Sequence, residues 1–352
     1  MDRRLPVRGV VAVLLGLGVL APPPVLRAAP PAGGVPSGFV ERYPAVATAM
    51  RAAGPPYAGW AATGRTFLAF DATGDGTATE VLGDLAGADR IAVLVPGVDA
   101  RLADFDRGLG GVARRAPAVQ ARALYARLRA DDPGARVAVL AWLGYDPPEG
   151  LGPAAARETR ARDGADALVA LVRLLAAHRP AARITLVGHS YGALVVGLAA
   201  HRLPVQVTDL VTLGGVGMGV DRASELHTDA TVWAAQAPDD WIRRVPQVRL
   251  LGLGHGVRPA TPAFGARPLP VDGVAGHDAY LTPGTGTLRA LSWVVLGPPA
   301  DPASRSTAPA DPARPADPVG PADPVGPADP VGPADSAGTA GAAVLAGSAV
   351  AR

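Results

Sequence analysis

The chain has 352 residues, of which 49% are hydrophobic and 18% are charged, and this composition excludes a wholly disordered protein. The formal net charge is only +2, and all 33 basic residues are arginine, so the charge balance gives no support for a nucleic-acid-binding protein. The absence of cysteine excludes disulfide bonds, cysteine-ligated zinc and thiol catalysis.

The first 28 residues have the pattern of a secretory signal peptide. Three arginines within residues 2–8 precede a 13-residue apolar run, Gly9–Ala21, which is followed by small residues near Ala28. The run is shorter than the about 20 apolar residues that a transmembrane helix needs. An uncleaved N-terminal membrane anchor is the alternative interpretation. Both interpretations predict a folded part that is extracytoplasmic, either secreted or in the cell envelope.

Alternating helices and strands are predicted over residues 37–297. A first helix is expected around Phe39–Ala53, and an antiparallel hairpin is expected next, from Thr66–Asp71 and Thr79–Leu82. Short, continuous apolar runs typical of strands buried on both faces follow at Arg90–Val95, Arg136–Trp142, Arg183–Val187, Asp209–Leu213, Thr231–Ala235 and Val248–Leu251. Helices are predicted over Pro153–His178, Ala193–His201 and Leu288–Leu296. The alternation indicates one α/β domain with a mostly parallel central sheet, helices on both faces and the hairpin at its N-terminal edge.

Residues 298–352 change in character. The hexapeptide Pro-Ala-Asp-Pro-Val-Gly occurs at Pro315–Gly320 and twice more in succession. Frequent proline prevents helices and sheet ladders, so we predict a disordered tail rich in Pro, Ala and Asp. Such a tail, like the N-terminal segment, is a possible means of association with the cell envelope.

A Gly-x-Ser-x-Gly motif lies at Gly188–Gly192, with Ser190 at its centre. It follows the predicted strand that ends at Val187 and opens the helix that starts at Ala193, and this is the setting of a nucleophile elbow. The sharp turn strains the serine backbone, and the two glycines permit close approach of helix and strand. A serine hydroxyl needs a neighbouring base, so a histidine and an orienting carboxylate are expected after later strands.

Two histidines are candidates for that base, and His277 is preferred over His255. His277 lies in a loop before the final helix, which is the expected place, and His255 directly follows the predicted strand Val248–Leu251 and is its rival. His189 lies inside the elbow, where we expect its side chain to point elsewhere. The remaining three histidines lie near helix ends or before a strand.

The orienting carboxylate is expected after the strand Thr231–Ala235. Asp240 is preferred over Asp239 because an apolar residue, Ile242, stands two positions after it; Asp221 is a further alternative. The main-chain N–H groups of Val98, after the strand Arg90–Val95, and of Tyr191 are the expected oxyanion-hole donors.

Three residues at or just beyond the end of the predicted strand Arg136–Trp142 are candidates for the pocket mouth: Trp142, Tyr145 and Asp146. Core packing is an equal alternative for Trp142.

With these motifs the sequence resembles the α/β-hydrolase superfamily, and in particular secreted serine hydrolases of high-GC Gram-positive bacteria. The matching stretches lie between Ile91 and Tyr280. The resemblance implies a triad of Ser190, Asp240 and His277. It also shows one departure, since Pro96-Gly97 stands where the family usually has His-Gly before the oxyanion residue.

The predicted function is a metal-free and cofactor-free serine hydrolase that acts on a small acyl or ester substrate. An acyltransferase with the same triad is one alternative. A non-catalytic binding or wall-associated protein on a hydrolase scaffold is the other. The segment between Leu213 and Thr231 is too short for a large lid, so we expect an open pocket.

Overall fold

The computed structural model describes residues 38–247, 249 and 253–297. The predicted signal peptide and the proline-rich tail lie outside these residues, as does the predicted strand at 248–251, apart from Arg249, which is not in a strand. In chain order, the elements are α1 (Tyr43–Ala52), α2 (Tyr57–Ala62), β1 (Thr66–Asp71), β2 (Thr77–Leu82), β3 (Arg90–Val95), α3 (Pro117–Asp131), β4 (Val137–Leu143), α4 (Thr159–His178), β5 (Arg183–His189), α5 (Gly192–Ala199), β6 (Val207–Leu213), β7 (Thr231–Ala235), β8 (Arg267–Pro268) and α6 (Gly286–Leu296).

The strands of the described residues form one sheet in the order β1-β2-β4-β3-β5-β6-β7-β8. Strand β2 is antiparallel to both β1 and β4, and the other neighbouring pairs are parallel. The prediction of a mostly parallel α/β sheet with an N-terminal antiparallel hairpin is therefore confirmed.

Two apolar cores cover the two faces of the sheet. Along β3, Ile91, Val93 and Val95 pack in the core that contains the buried faces of α4 and α5. The intervening Ala92 and Leu94 pack in the core that contains α3 and α6. Successive side chains of a strand point to opposite faces, so a strand with helices on both sides must be apolar throughout.

Helix α3 was not predicted, although its inner face is fully buried. That face consists mainly of small or weakly apolar residues, with Ala118 and Ala121 beside Leu124 and Leu128. Alanine buries little apolar area, so the helical periodicity in the sequence is weak even where packing is tight.

The prediction that a helix begins at Pro153 is wrong, because α4 begins at Thr159. The main chain before it pairs with another loop instead: Gly254 N donates to Ala156 O at 2.8 Å, and Arg157 forms an isolated bridge with Leu253. The main chain at residues 156 and 157 is therefore paired with the loop that carries His255.

The loops after β3, β5, β7 and β8 lie at the carboxyl ends of parallel strands, on the same edge of the sheet. Between β6 and β7 there are only 17 residues, 214–230, with one short 3₁₀ turn at Ala223–Leu226. Within the described ranges, no helix combines the length and hydrophobicity needed to cross a bilayer.

Candidate active site

Ser190 sits in a sharp turn between β5 and α5. Its φ is 56°, in the left-handed region that non-glycine residues rarely adopt. The turn is held on both sides, since Ser190 N donates to Leu213 O at 3.0 Å and Ala193 N donates to Ser190 O at 3.2 Å. A strained backbone maintained by its surroundings in this way is a mark of a functional position.

The two glycines of the motif are required by close contacts. A Cβ on Gly188 would lie 2.6 Å from Gly192 O, and a Cβ on Gly192 would lie 2.3 Å from Val95 O. Neither contact is tolerable for a side chain. The predicted steric reason for the Gly-x-Ser-x-Gly spacing is therefore seen directly in the structure.

The Ser190 side chain is only 3% exposed and borders a cavity. Its Oγ lies 3.2 Å from the point that a Cβ on Gly97 would occupy, so the hydroxyl is next to the loop after β3. Among the described residues, Ser190 Oγ has no hydrogen-bond partner, and His277 borders the same cavity. Catalytic hydrogen bonds are often loose in a protein without substrate.

Asp240 and His277 form a buried pair across this edge of the sheet. His277 Nδ1 lies 2.9 Å from Asp240 Oδ1 and 3.0 Å from Oδ2. A carboxylate can only accept, so Nδ1 carries the proton and Nε2 is left with a lone pair. This is the tautomer that a general base needs.

Further donors hold the Asp240 carboxylate in place. Ile242 N donates to Oδ1 at 2.9 Å, and the Tyr280 hydroxyl donates to Oδ2 at 2.5 Å while accepting from Ala237 N at 3.0 Å. Burial by itself would raise the pKa of Asp240, but the His277 hydrogen bond and charge and the two other donors lower it overall. Burial, together with the bond to Asp240, raises the pKa of Tyr280 far above its usual range, so Tyr280 remains a donor.

Space for this pair is provided by Gly214, at the end of β6. Its φ is +56°, and an added Cβ would lie 2.6 Å from Asp240 Oδ2 and 3.0 Å from His277 Nδ1. Any side chain at position 214 would push the carboxylate and the imidazole apart.

The structure does not bring the alternative carboxylates to this histidine. Asp239 and Asp221 are both exposed, and the Asp221 main-chain N–H pairs with Glu225 instead. The position of Ile242 after Asp240, used in the sequence argument, corresponds to a real contact, because the Ile242 N–H binds the carboxylate.

His255 occupies a different environment. Its Nε2 donates to Ala155 O at 2.7 Å, and among the described residues its buried Nδ1 has no hydrogen-bond partner. Burial lowers the pKa of His255, so the ring is neutral at pH 7. No carboxylate binds this ring within the described part of the chain.

His189 does not point away from the site, and that expectation is wrong. Its Nε2 donates to the main-chain oxygen of His277 at 2.8 Å, and the two rings lie 4.7 Å apart. Burial, with repulsion from His277, lowers the pKa of His189 to about 4. His189 is therefore a neutral ring that holds the His277 loop against the elbow.

Two main-chain N–H groups beside Ser190, those of Val98 and Tyr191, make no hydrogen bond within the described residues. The loop of Val98 is fixed from both sides. The buried Tyr145 hydroxyl donates to Pro96 O at 2.7 Å, and Asp99, with φ 60°, accepts from Gly150 N at 2.7 Å.

The expectation that Trp142, Tyr145 and Asp146 line the pocket mouth is wrong. The two aromatic rings are buried and stacked on each other in the core, with centroids 5.8 Å apart, and Asp146 pairs with Arg160. None of the three borders either of the cavities at Ser190. The Tyr145 hydroxyl acts on the site through Pro96 instead.

Two cavities meet at Ser190. One, of about 260 Å³, is bordered by His277 and by several charged side chains. The other, of about 500 Å³, is bordered mostly by aliphatic side chains and by His255. We call them the polar cavity and the apolar cavity. Val98, Leu151 and Trp241 border both.

Trp241 and Tyr280 were missed as site residues by sequence reasoning, as was the role of His189. The Trp241 ring lies 4.8 Å from that of His277 and forms part of the wall between the cavities. Each of the three is adjacent in sequence, or close, to a predicted site residue, and this proximity was the available signal. In the described residues, no cluster of three or more His, Asp or Glu side chains is placed to hold a metal ion.

Among curated proteins, the chain is 35% identical over 151 residues to an uncharacterised protein of Mycobacterium tuberculosis, covering 42% of this chain and 55% of that protein. It is 30% identical over 258 residues to a second uncharacterised protein of the same species, covering 64% of this chain and 37% of that one. The chain thus matches about half the length of the first relative and about a third of the second.

Solved structures to which the chain is similar include a dienelactone hydrolase from Anabaena variabilis, with 17% identity, TM-score 0.39, and coverage of 65% of this chain and 94% of that one. Another is a carboxylesterase from Mesorhizobium loti, with 16% identity, TM-score 0.40, and coverage of 65% and 99%. The model of the family described as alpha/beta hydrolase matches residues 71–250, about half of the chain. The chain therefore belongs to the α/β-hydrolase family.

Proposed function

We propose that this protein is a serine hydrolase that cleaves an ester through an acyl-enzyme on Ser190. The observation that carries the proposal is the buried Asp240–His277 pair on the cavity of a serine held in left-handed backbone. The three residues are the nucleophile, the base and the carboxylate that orients the base.

In the first half-reaction, Ser190 Oγ attacks the ester carbonyl carbon while His277 Nε2 takes the hydroxyl proton. Ser190 and His277 border the same cavity, and this transfer requires Oγ within hydrogen-bond distance of Nε2. Asp240 accepts from Nδ1–H and stabilises the imidazolium. His277 then gives its proton to the alcohol oxygen as the bond from that oxygen to the acyl carbon breaks, and the alcohol leaves.

In the second half-reaction, water attacks the acyl-enzyme and His277 takes one of its protons. The acyl–Ser190 bond breaks, the proton returns to Oγ, and a carboxylic acid is released. We assign the Val98 and Tyr191 N–H groups to the oxyanion in both steps, because they lie beside Ser190 without another partner in the described residues. One such donor typically contributes about 3 kcal/mol to transition-state stabilisation.

A fluorophosphonate probe tests the proposal, since it reacts only with an activated serine. We expect the folded protein to gain one label, measured by intact mass, and Ser190→Ala to gain none. Ser224→Ala is the matched control, because Ser224 is exposed on the 3₁₀ turn between β6 and β7 and should leave labelling unchanged. An unlabelled folded wild type, or a labelled Ser190→Ala, would refute the assignment.

A further inference from the structure

The two cavities at Ser190 differ in the polarity of the residues that line them, and this difference indicates which kind of substrate would fit. The apolar cavity is bordered by the side chains of Ala155, Ala156, Val216, Ile242, Val245, Pro246 and Leu253, besides those shared with the polar cavity. At about 500 Å³ it is within the size range of pockets that bind organic ligands.

The apolar cavity is uncharged. No Asp, Glu or Arg of the described residues borders it, and two of its polar groups, the Tyr191 hydroxyl and His255 Nε2, are bonded to main-chain oxygens, which leaves His255 Nδ1 and the Trp241 ring as its other polar groups besides Ser190. The Tyr191 hydroxyl donates to Arg157 O at 2.7 Å, and His255 Nε2 donates to Ala155 O at 2.7 Å. The rest of the lining is apolar and suits an alkyl chain, because transfer of such a chain from water into the cavity lowers the free energy.

The polar cavity has several charges that largely neutralise one another. Arg115 pairs with Asp278 at 2.6 Å, Arg101 with Glu149 at 3.2 Å, and Asp104 with Arg107 at 3.0 Å. Asp99 and Gln120 complete the polar wall.

Donors and acceptors therefore stand side by side in the polar cavity. A hydroxyl group offers one donor and two acceptor sites, so it matches such a wall. A phosphate would face three carboxylates there, those of Asp99, Asp104 and Asp278, and only two arginines, Arg101 and Arg115, which are each already paired with a carboxylate.

The position of His277 indicates which half of the ester lies in which cavity. His277 borders the polar cavity and not the apolar one. In ester cleavage the base must protonate the oxygen of the leaving alcohol, so that alcohol lies on the side of His277. The acyl chain then extends from Ser190 into the other space.

We infer that the substrate is an ester of an extended aliphatic acid with an uncharged alcohol bearing further hydroxyl groups, the acyl chain occupying the apolar cavity and the alcohol the polar one. The inference rests on the proposed function, because it assumes that Ser190 is acylated and that His277 protonates the leaving group. Two independent observations agree on it, namely the chemistry of each wall and the side on which the base lies.

The acyl half is tested with p-nitrophenyl esters from acetyl to dodecanoyl. We expect kcat/KM to rise by up to about fourfold for each methylene that enters the cavity, and then to level off or fall. Ala156→Phe and Val245→Phe fill the cavity from two walls and should each lower the octanoyl-to-acetyl ratio by at least about tenfold. Ala154→Phe, at an exposed residue that borders neither cavity, should keep the wild-type ratio.

The alcohol half is tested with three octanoyl esters, those of glycerol, ethanol and glycerol phosphate. We expect the glycerol ester to have the highest kcat/KM. Gln120→Leu should lower its advantage over the ethyl ester by about tenfold, the effect of one lost hydrogen bond. Gln206→Leu is the matched control, because both glutamines donate Nε2 to a main-chain oxygen but Gln206 borders neither cavity.

Fluorophosphonate labelling of every variant separates the two levels of the argument. The acyl assignment alone would be overturned if the wild type labels at Ser190 but its kcat/KM does not depend on chain length. It would also be overturned if Ala156→Phe and Val245→Phe both label and keep the wild-type chain-length dependence. Preference for the ethyl or the phosphate ester would overturn the alcohol assignment. A folded wild type that does not label would overturn the proposed function itself.

Discussion

His277 and His255 lie on the two cavities that meet at Ser190, and their surroundings differ in almost every respect. His277 shares its Nδ1 proton with a carboxylate and has Nε2 available. His255 gives its Nε2 proton to a main-chain carbonyl, and within the described residues its buried Nδ1 has no partner.

This difference supports our proposal that His277, and not His255, is the base. A base must gain a proton and have it stabilised, and a buried carboxylate at 2.9 Å does this for His277. His255 would become a cation against a carbonyl oxygen and aliphatic side chains, at a desolvation cost that its lowered pKa reflects. The hydrogen-bond partners of the two rings, and not their proximity to Ser190, are therefore the basis on which we distinguish them.

The largest expected effect comes from exchanging the two rings for alanine in turn. His277→Ala should lower kcat/KM for a p-nitrophenyl ester by roughly 10⁴-fold or more, because the proton transfers of both half-reactions are lost. His255→Ala should lower it by no more than about tenfold, through a changed wall of the apolar cavity.

Circular dichroism and thermal unfolding of both variants check that each is folded. If His255→Ala were the inactive variant and His277→Ala the active one, the roles assigned to the two loops would have to be exchanged.

A smaller but still large effect is expected from the carboxylate that distinguishes the two histidines. Asp240→Asn should lower kcat by about 10³- to 10⁴-fold, because an amide can donate to Nδ1 and favours the wrong tautomer. The neighbouring Asp239→Asn is a matched control at an exposed residue, and we expect it to remain within twofold of wild type.

Steady-state kinetics of the two asparagine variants measure this difference. Equal losses in both would mean that the loop as a whole, and not the Asp240–His277 pair, supports activity.

The elbow was predictable because its determinants are contiguous. The strand, the turn and the helix around Ser190 lie within β5 and α5, and the two glycines are explained by contacts of the same segment and of its neighbouring strand β3. The parallel strands were also predictable, since burial on both faces demands uninterrupted apolar runs.

The choice between the two histidines was less accessible to sequence reasoning. Asp240 and His277 are 37 residues apart, and their contact depends on Gly214, which belongs to a third loop. The strand before His277 is the two-residue β8, Arg267–Pro268, which has no apolar pattern at all. The sequence prediction preferred His277, and the predicted strand at 248–251 was the reason that His255 remained its rival.

The smallest effect is expected from His189, which supports the His277 loop by donating to the His277 carbonyl. Its pKa of about 4 in the folded protein, against 6.5 for an ordinary histidine, means that the unfolded chain takes up a proton first as pH falls. The titration of His189 therefore does not affect the free energy of unfolding above pH 6.5, and it makes the folded state progressively less stable between pH 6.5 and about 4.

His189→Gln retains an N–H donor for the His277 carbonyl and removes the titration. Urea unfolding at pH 7, 6, 5 and 4.5 should show that the wild type loses free energy of unfolding more steeply than the variant over this range, with the difference greatest near pH 4.5. Hydrolytic activity at pH 7.5 should fall by less than about tenfold, because the loop keeps its hydrogen bond. Identical pH slopes would mean that the pKa of His189 is not lowered in the folded protein, and that the packing of its ring on His277 does not exclude the charged form.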